Sequence, residues 1–486
     1  MKNFKTILLL ILVTSVLNRC TDHVDYEAIE GYQITSEIYF QQESDYDAAL
    51  VGTYDVLQWL FFNIQLGAIA SEISLCGGES ATDYIGIQQI DDMTHYPENN
   101  VLRQVWQFLY EGVNRANYME ENKANIDFDG KESMYGEVYF LRAYYYFELV
   151  KFFGDVPLFT EARLTAGEAG TLTRTPKDEV YAQIELDLQN AIASLPDSQS
   201  QVGRVNKYTA YALLGKVLLY QDKFAEAASA LDNVIGVYSL VSDYGSQFLR
   251  FGENGPESVF EIQYSNQSNW YDWGCAHCSE GNYAIIMNGP RGWSGPEYAQ
   301  GWSFNVPTAE FYNSFEEGDT RRDATVLDIE AFAAVTGANY TEGYDHTGYF
   351  NNKYIPRAGE SGGQTELNYL TNFRIIRYSD VLLMAAEAYN RGGLDDGLAQ
   401  EFLNQVRRRA FGDDDHDIST SGTALTDAIW EERKFELSLE GHRFFDLVRT
   451  GRAASLIAGF VEGKHEVFPI PQQEVDISGL TQNAGY

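Results

Sequence analysis

Apolar residues recur at three- and four-residue steps through both ends of this 486-residue chain, and that period predicts helices. Val101, Val105, Phe108, Leu109, Gly112, Val113 and Ala116 make one stripe. Val138, Leu141, Tyr145, Leu149 and Phe152 make a second, which Gly154, Asp155 and Pro157 bring to a stop. Thr175-Pro176 opens a third that runs through Val180, Ile184, Leu188 and Ile192 to Leu195-Pro196. Proline suits a first helical position because the N–H it lacks has no partner there.

The stretch after it carries a repeat. Tyr211, Leu214, Gly215 and Leu218, then Ala227, Leu231 and Val234, have the spacing of a tetratricopeptide helical hairpin. Gly215 and Ala227 leave the room that two closely packed helices need. A looser version occurs at Leu382, Ala386, Tyr389, Ala399 and Phe402, with one extra residue in the turn. A third is split, the helix holding Ala143 and Tyr146 pairing with the 177–195 helix across a long loop. Such hairpins are scaffolds and indicate no chemistry by themselves.

The pattern changes between about 244 and 371. Glycine, asparagine, serine and aromatic residues replace the helical stripe, and Ser258–Tyr264 alternates as a short strand does. Trp270, Tyr271, Trp273, Tyr283, Trp293, Tyr298 and Trp302 crowd one irregular stretch. Rings on loops held by a rigid frame suit a ligand platform. Trp270, Trp273 and Trp293 are the first candidates, with Tyr271 and Tyr283 beside them. Asn269, Asp272, Asn282 and Arg291 are the nearby polar partners.

The first nineteen residues read as a leader. Lys2 and Lys5 precede an apolar run over Ile7–Val13 and Val16–Leu17, which ends at Cys20. The run is shorter than the roughly 20 residues that a membrane span needs, so it reads as an export signal. A cysteine in that place points to a bacterial lipoprotein, cleaved before Cys20 and acylated on it. Asn18 and Arg19 stand where small residues are usual, and a plain signal peptide with an incidental cysteine is the alternative. The formal charge is −37, so nucleic acid and anionic headgroups are repelled. Cys275 and Cys278 frame a two-residue gap that fits a small disulfide loop better than half a zinc site or a redox pair, and Cys76 is then unpaired and buried.

No nucleophile elbow, zinc-helix motif, phosphate loop or dinucleotide fingerprint is present, and the seven histidines show no ligand spacing. No metal or cofactor is expected. Asp413, Asp415 and Asp417 imitate a calcium loop, but Ile418 occupies the position of its glycine, leaving a solvated acidic turn. Glu431, Glu432, Glu436 and Glu440 offer paired acids of the kind that hydrolyse glycosides. Trp430, Leu437 and Phe444 put Arg433 and Glu440 on an apolar face, so a structural network fed by Arg433, Arg443 and Arg449 is the expected role.

Several segments resemble the SusD/RagB family, surface lipoproteins of nutrient uptake in Bacteroidota. They are WQFLYEGVNRAN (106–117), EVYFLRAYYYFELVKFFGDVP (137–157), RVNKYTAYALLGKVLLY, RYSDVLLMAAEAYNR and IWEERKFELSLEGHRFFDLVRTGR. The closing FPIPQQEV…LTQNAGY also fits, as does Pro307 followed by Asp319-Thr320-Arg321-Arg322. The resemblance implies a mainly α fold, about four tetratricopeptide-like hairpins packed against an irregular loop-rich region with short strands. On this reading residues 1–19 are the signal peptide and 20–486 form one domain. Segments 20–243 and 372–486 are the helical frame, and 244–371 carries the ligand.

The resemblance further implies an outer-membrane protein, lipid-anchored and facing outward. Asp22, Asp25 and Glu27 are similar to surface-targeting signals of that phylum. Family members bind glycans or peptides, form lids on TonB-dependent, SusC-like transporters and are not enzymes. The expected role is capture of an oligosaccharide and its delivery to such a barrel. A surface glycoside hydrolase and a pure protein-interaction scaffold are the rival classes.

Overall fold

Helical hairpins form the frame, as the periodicity predicts. The computed structural model describes residues 39–165, 167–267, 275, 278–362 and 367–486. The first half contains α1 (Glu43–Asp55), α2 (Phe61–Ile69), α3 (Ile85–Asp91), α4 (Asn100–Glu121) and α5 (Lys131–Phe153). It continues with α6 (Lys177–Ser194), α7 (Lys207–Leu219) and α8 (Phe224–Asp232). The short α9 (Tyr283–Asn288) lies mid-chain. The last quarter adds α10 (Tyr378–Arg391), α11 (Asp396–Phe411), α12 (Thr423–Glu436) and α13 (Arg443–Arg449).

Local chemistry starts these helices. The Asn99 side chain accepts the free N–H groups of Val101 and Leu102 at the head of α4, and Asn206 does the same for Tyr208 and Thr209 at α7. Helix α5 is buried on nearly every side from Tyr135 to Phe153, which makes it the central post. It packs on α6, α7 packs on α8, and α10 packs on α11. At the second hairpin a Cβ on Gly215 would lie 2.5 Å from the Leu231 side chain, so glycine sets the helix separation. Arg142 and Asp187, both buried, join α5 to α6 through two bonds of 2.8 Å.

The mid-chain segment supplies short antiparallel ribbons. They pair β1 (Ser74–Leu75) with β4 (Val306–Pro307), and β2 (Ser258–Ile262) with β8 (Phe373–Arg377). The others pair β3 (Arg291–Ser294) with β6 (Asn339–Thr341), and β5 (Val326–Asp328) with β7 (Tyr349–Asn351). Strand β8 runs straight into α10, so the ribbon is continuous with the frame. Cys275 and Cys278 are joined as a disulfide with their Cα atoms 5.3 Å apart, and Cys76 is free and buried.

One expectation about the acidic segment is corrected. Helix α12 stops at Glu436, and Leu439 and Gly441 then take left-handed backbone angles (φ +63° and +87°). Trp430, Leu437 and Phe444 therefore share no helical face. The partners of the acids also come from farther away than Arg433, Arg443 and Arg449. Glu436 meets Arg409 (2.6 Å), Arg377 (2.8 Å) and Arg321 (3.1 Å). Glu432 meets Arg321 (2.5 Å) and Arg407 (2.8 Å), and Glu440 meets Lys353 (2.7 Å) and Arg377 (2.8 Å). Arg433 instead binds Asp380 and Asp446, Arg449 binds Glu387 and Asp446, and Arg443 binds Glu72. The acids sit in the seam where the frame meets the mid-chain segment, and the seam brings cations from both sides. Burial there drives the Lys353 ammonium down to about 8, against the pull of Glu440.

Candidate functional site

Tyr283 owes its place to a cap. Asn282 accepts the N–H of Ala284 at the start of α9 and donates to the Thr371 carbonyl at 2.8 Å, fixing the next residue as the first of the helix. The segment after β3 is bonded onto the same helix. The N–H groups of Trp302 and Phe304 donate to the carbonyls of Ile286 and Met287, both at 2.8 Å.

A row of rings results. Trp302 meets Tyr283 edge-on at 5.6 Å, Tyr283 meets Phe61 at 4.6 Å, and Phe61 meets Phe62 at 4.4 Å. Phe62 meets Tyr84 at 5.6 Å, and Tyr84 meets Phe304 at 6.2 Å. Phe61, Phe62 and Phe304 are buried, while Trp302, Tyr283 and Tyr84 keep part of their surface in solvent. Edge-to-face contacts of this kind hold rings rigid. Tyr84 has φ +53°, a backbone state that costs a non-glycine residue energy and marks a constrained position.

A polar rim adjoins the row. Asp83 accepts the N–H of Glu79 and a guanidinium nitrogen of Arg291, each at 2.7 Å. Residues 79–82 are exposed. Gly78 is required below them: it has φ +109°, and a Cβ would lie 2.9 Å from the Phe304 ring. Burial raises the Tyr84 and Tyr283 hydroxyls above their usual range, so both stay neutral donors near neutral pH. Among the described residues no group of three or more His, Cys, Asp or Glu side chains is arranged to hold a metal. The face offers flat apolar surfaces beside hydrogen-bonding groups, a combination that suits a neutral hydroxylated ring.

The structure sorts the sequence candidates. Tyr283 and Arg291 lie in this face. Trp293, also on β3, packs its ring against Tyr298 (5.9 Å) and Phe332 (6.0 Å) in a separate apolar cluster. Asn282 is 1% exposed and serves as the cap, so it is no ligand residue. Asn269, Trp270, Tyr271, Asp272 and Trp273 lie outside the described residues, as does Cys20. Tyr84, Asp83 and Phe61 escaped the sequence reading because they precede the aromatic stretch by some two hundred residues. Trp302 stood within that stretch but had nothing to single it out.

Comparison with known proteins places the whole chain in a family. The SusD family profile matches residues 256–464, and one described as "Starch-binding associating with outer membrane" matches residues 73–219. "SusD-like protein P2" of Formosa agariphila is 30% identical over 479 residues, covering 92% of this chain and 91% of the relative. Among solved structures, a "Laminarin binding SusD-like protein" superimposes with a TM-score of 0.84 at 36% identity, covering 92% of this chain and all of the other. "Surface glycan-binding protein A from Bacteroides thetaiotaomicron in complex with laminarihexaose" gives a TM-score of 0.81 at 30% identity, covering 91% and 99%. The two similar structures are named for glycan binding, and in this chain Glu432, Glu436 and Glu440 are sealed against arginines and Lys353 inside the molecule, which removes them as a hydrolytic pair. The chain belongs to the SusD/RagB family.

Proposed function

We propose that the protein captures a laminarin-type glucan at the cell surface and passes it to a TonB-dependent, SusC-like barrel in the outer membrane. The row Trp302–Tyr283–Tyr84 carries this reading, because its partly exposed rings offer flat faces to the C–H faces of sugar rings. Glu79, Asp83 and Arg291 stand beside it to bond hydroxyls. The laminarin and laminarihexaose ligands named for the similar structures support the choice of a glucan. Trp270, Trp273, Tyr271 and Asp272 extend the platform in this proposal, and Trp293 is its outlying member. Attachment is through acylated Cys20.

Calorimetric titration with laminarihexaose tests the site. Small sites depend on a few anchors, so Tyr283→Ala or Trp302→Ala should each cost about 2 kcal/mol, a loss of about thirtyfold. Trp270→Ala, Trp273→Ala and Trp293→Ala, measured alongside, show which other rings belong to the platform. Wild-type binding by both the Tyr283 and Trp302 variants would refute the row as the site.

A further inference from the structure

We propose that a groove beside the aromatic row carries the continuation of a long glucan chain, an inference that rests on the glycan-binding reading above. The groove lies between α1, the 201–204 loop and β2, with a cavity of about 590 Å³. A second cavity of about 260 Å³ shares the loop as a wall and continues over β2 to Tyr238. The first alone falls within the roughly 300–1,000 Å³ usual for small-molecule sites. Gly203 shapes the wall: it has φ +87°, and a Cβ would lie 2.4 Å from the Gln263 side chain, so the loop backbone rests directly on that residue.

The groove and the row share two short segments. Gln58 lines the groove three positions before Phe61, and Glu280 lines it three positions before Tyr283. The groove therefore borders the row at both segments, so a chain longer than the row would meet it there.

The lining selects the occupant. A peptide would be held by pairing with a strand edge, but acceptors along β2 are already engaged. The carbonyls of Val259, Glu261 and Gln263 accept from Thr209 Oγ1 (3.0 Å), Gln263 Nε2 (3.2 Å) and Gln58 Nε2 (2.9 Å). Side chains capping backbone groups in this way are how strand edges avoid pairing. An anionic chain is disfavoured too, because the one arginine in the wall is already paired and Glu280 adds a negative charge. Arg204 binds Asp47 and Glu137, and Asp55 binds Arg115. The groove then offers amides and a carboxylate (Gln58, Gln201, Glu280) between apolar lips, Val51 and Val202, which are 52% and 75% exposed. Polar floor and apolar lip match the hydroxyls and C–H faces of a neutral sugar chain.

The test compares ligand lengths. Laminaritriose and polymeric laminarin are titrated into the wild type, Tyr283→Ala, Gln58→Ala and a Gln201→Ala/Val202→Arg double variant, with melting temperatures as a folding control. Gln201 and Val202 are on an exposed loop and their replacement should leave the fold intact. The expected result is that both groove variants bind laminaritriose like the wild type and laminarin about tenfold more weakly, or about 1.4 kcal/mol. Tyr283→Ala should weaken both ligands. Wild-type laminarin affinity in both groove variants overturns the inference and leaves the glycan reading standing. Binding of a tryptic casein digest in preference to either glucan, lost in the groove variants, overturns it in favour of a peptide groove. Failure of the wild type to bind any glucan overturns both readings.

Discussion

Glu436 accepts from three arginines while having no exposed surface. Glu436→Gln removes the charge that those cations face, and breaking a buried pair typically costs about 3–5 kcal/mol. Urea unfolding should show a loss of that size, with laminarihexaose affinity unchanged. Other acids of the same interior give a pH dependence. Arg449 holds Glu387 down at about 2, and Lys216 and Arg433 hold Asp380 below its usual range. These carboxylates prefer ionisation in the folded state, so their contribution is complete above roughly pH 4.5 and is lost as the pH falls toward 2. Asp91 has the opposite sign, because burial raises it to about 7. The folded protein keeps a proton there that the unfolded chain releases, and this makes stability fall as the pH rises from roughly 4 to 7. Asp91→Asn should flatten that slope, which denaturation midpoints at pH 5 and 7.5 would show. A slope unchanged in the variant would contradict the assignment.

At the scale of elements, two glycines separate close packing that can yield from packing that cannot. Gly215 on α7 faces the end of a leucine side chain, whereas a Cβ on Gly67 of α2 would lie 2.0 Å from the backbone oxygen of Gly441. Overpacking costs typically about 1–3 kcal/mol, and a side chain can rotate where a backbone cannot. Gly67→Ala should therefore lower the urea midpoint more than Gly215→Ala; the reverse order would mean that the turn after α12 is free to move. The same contrast explains what the sequence makes legible. The α7–α8 hairpin was readable because Gly215 and Leu231 are near in sequence and their spacing is the signal. The partners of Glu436 were not, because Arg321 lies 115 positions away and only the fold joins them. Trp293 and Trp302 show the limit at the site. Both are tryptophans among glycines, and only the bonding of 302–304 onto α9 places one in the row and the other in a separate cluster.

At the scale of the whole molecule, the family was legible because its motifs are pieces of the frame, while the ligand site was less so because its residues converge from segments that share no pattern. Attachment is open to a direct check: Cys20→Ala should move the protein from the membrane fraction to the soluble one, and acylated wild type should co-purify with an outer-membrane barrel. An unmodified mature N-terminus would refute the anchor. Cys76 has a further consequence for how the chain matures. Once Cys20 is acylated, three thiols allow three pairings, and two of them use Cys76. Disulfide exchange proceeds through the thiolate. Burial, with Asp91 and Asp83 nearby, pushes the Cys76 thiol far above its usual range, so the folded neighbourhood silences it as a nucleophile. If that neighbourhood closes before oxidation, the correct pairing is the only one left, and oxidative maturation needs no proofreading by an isomerase.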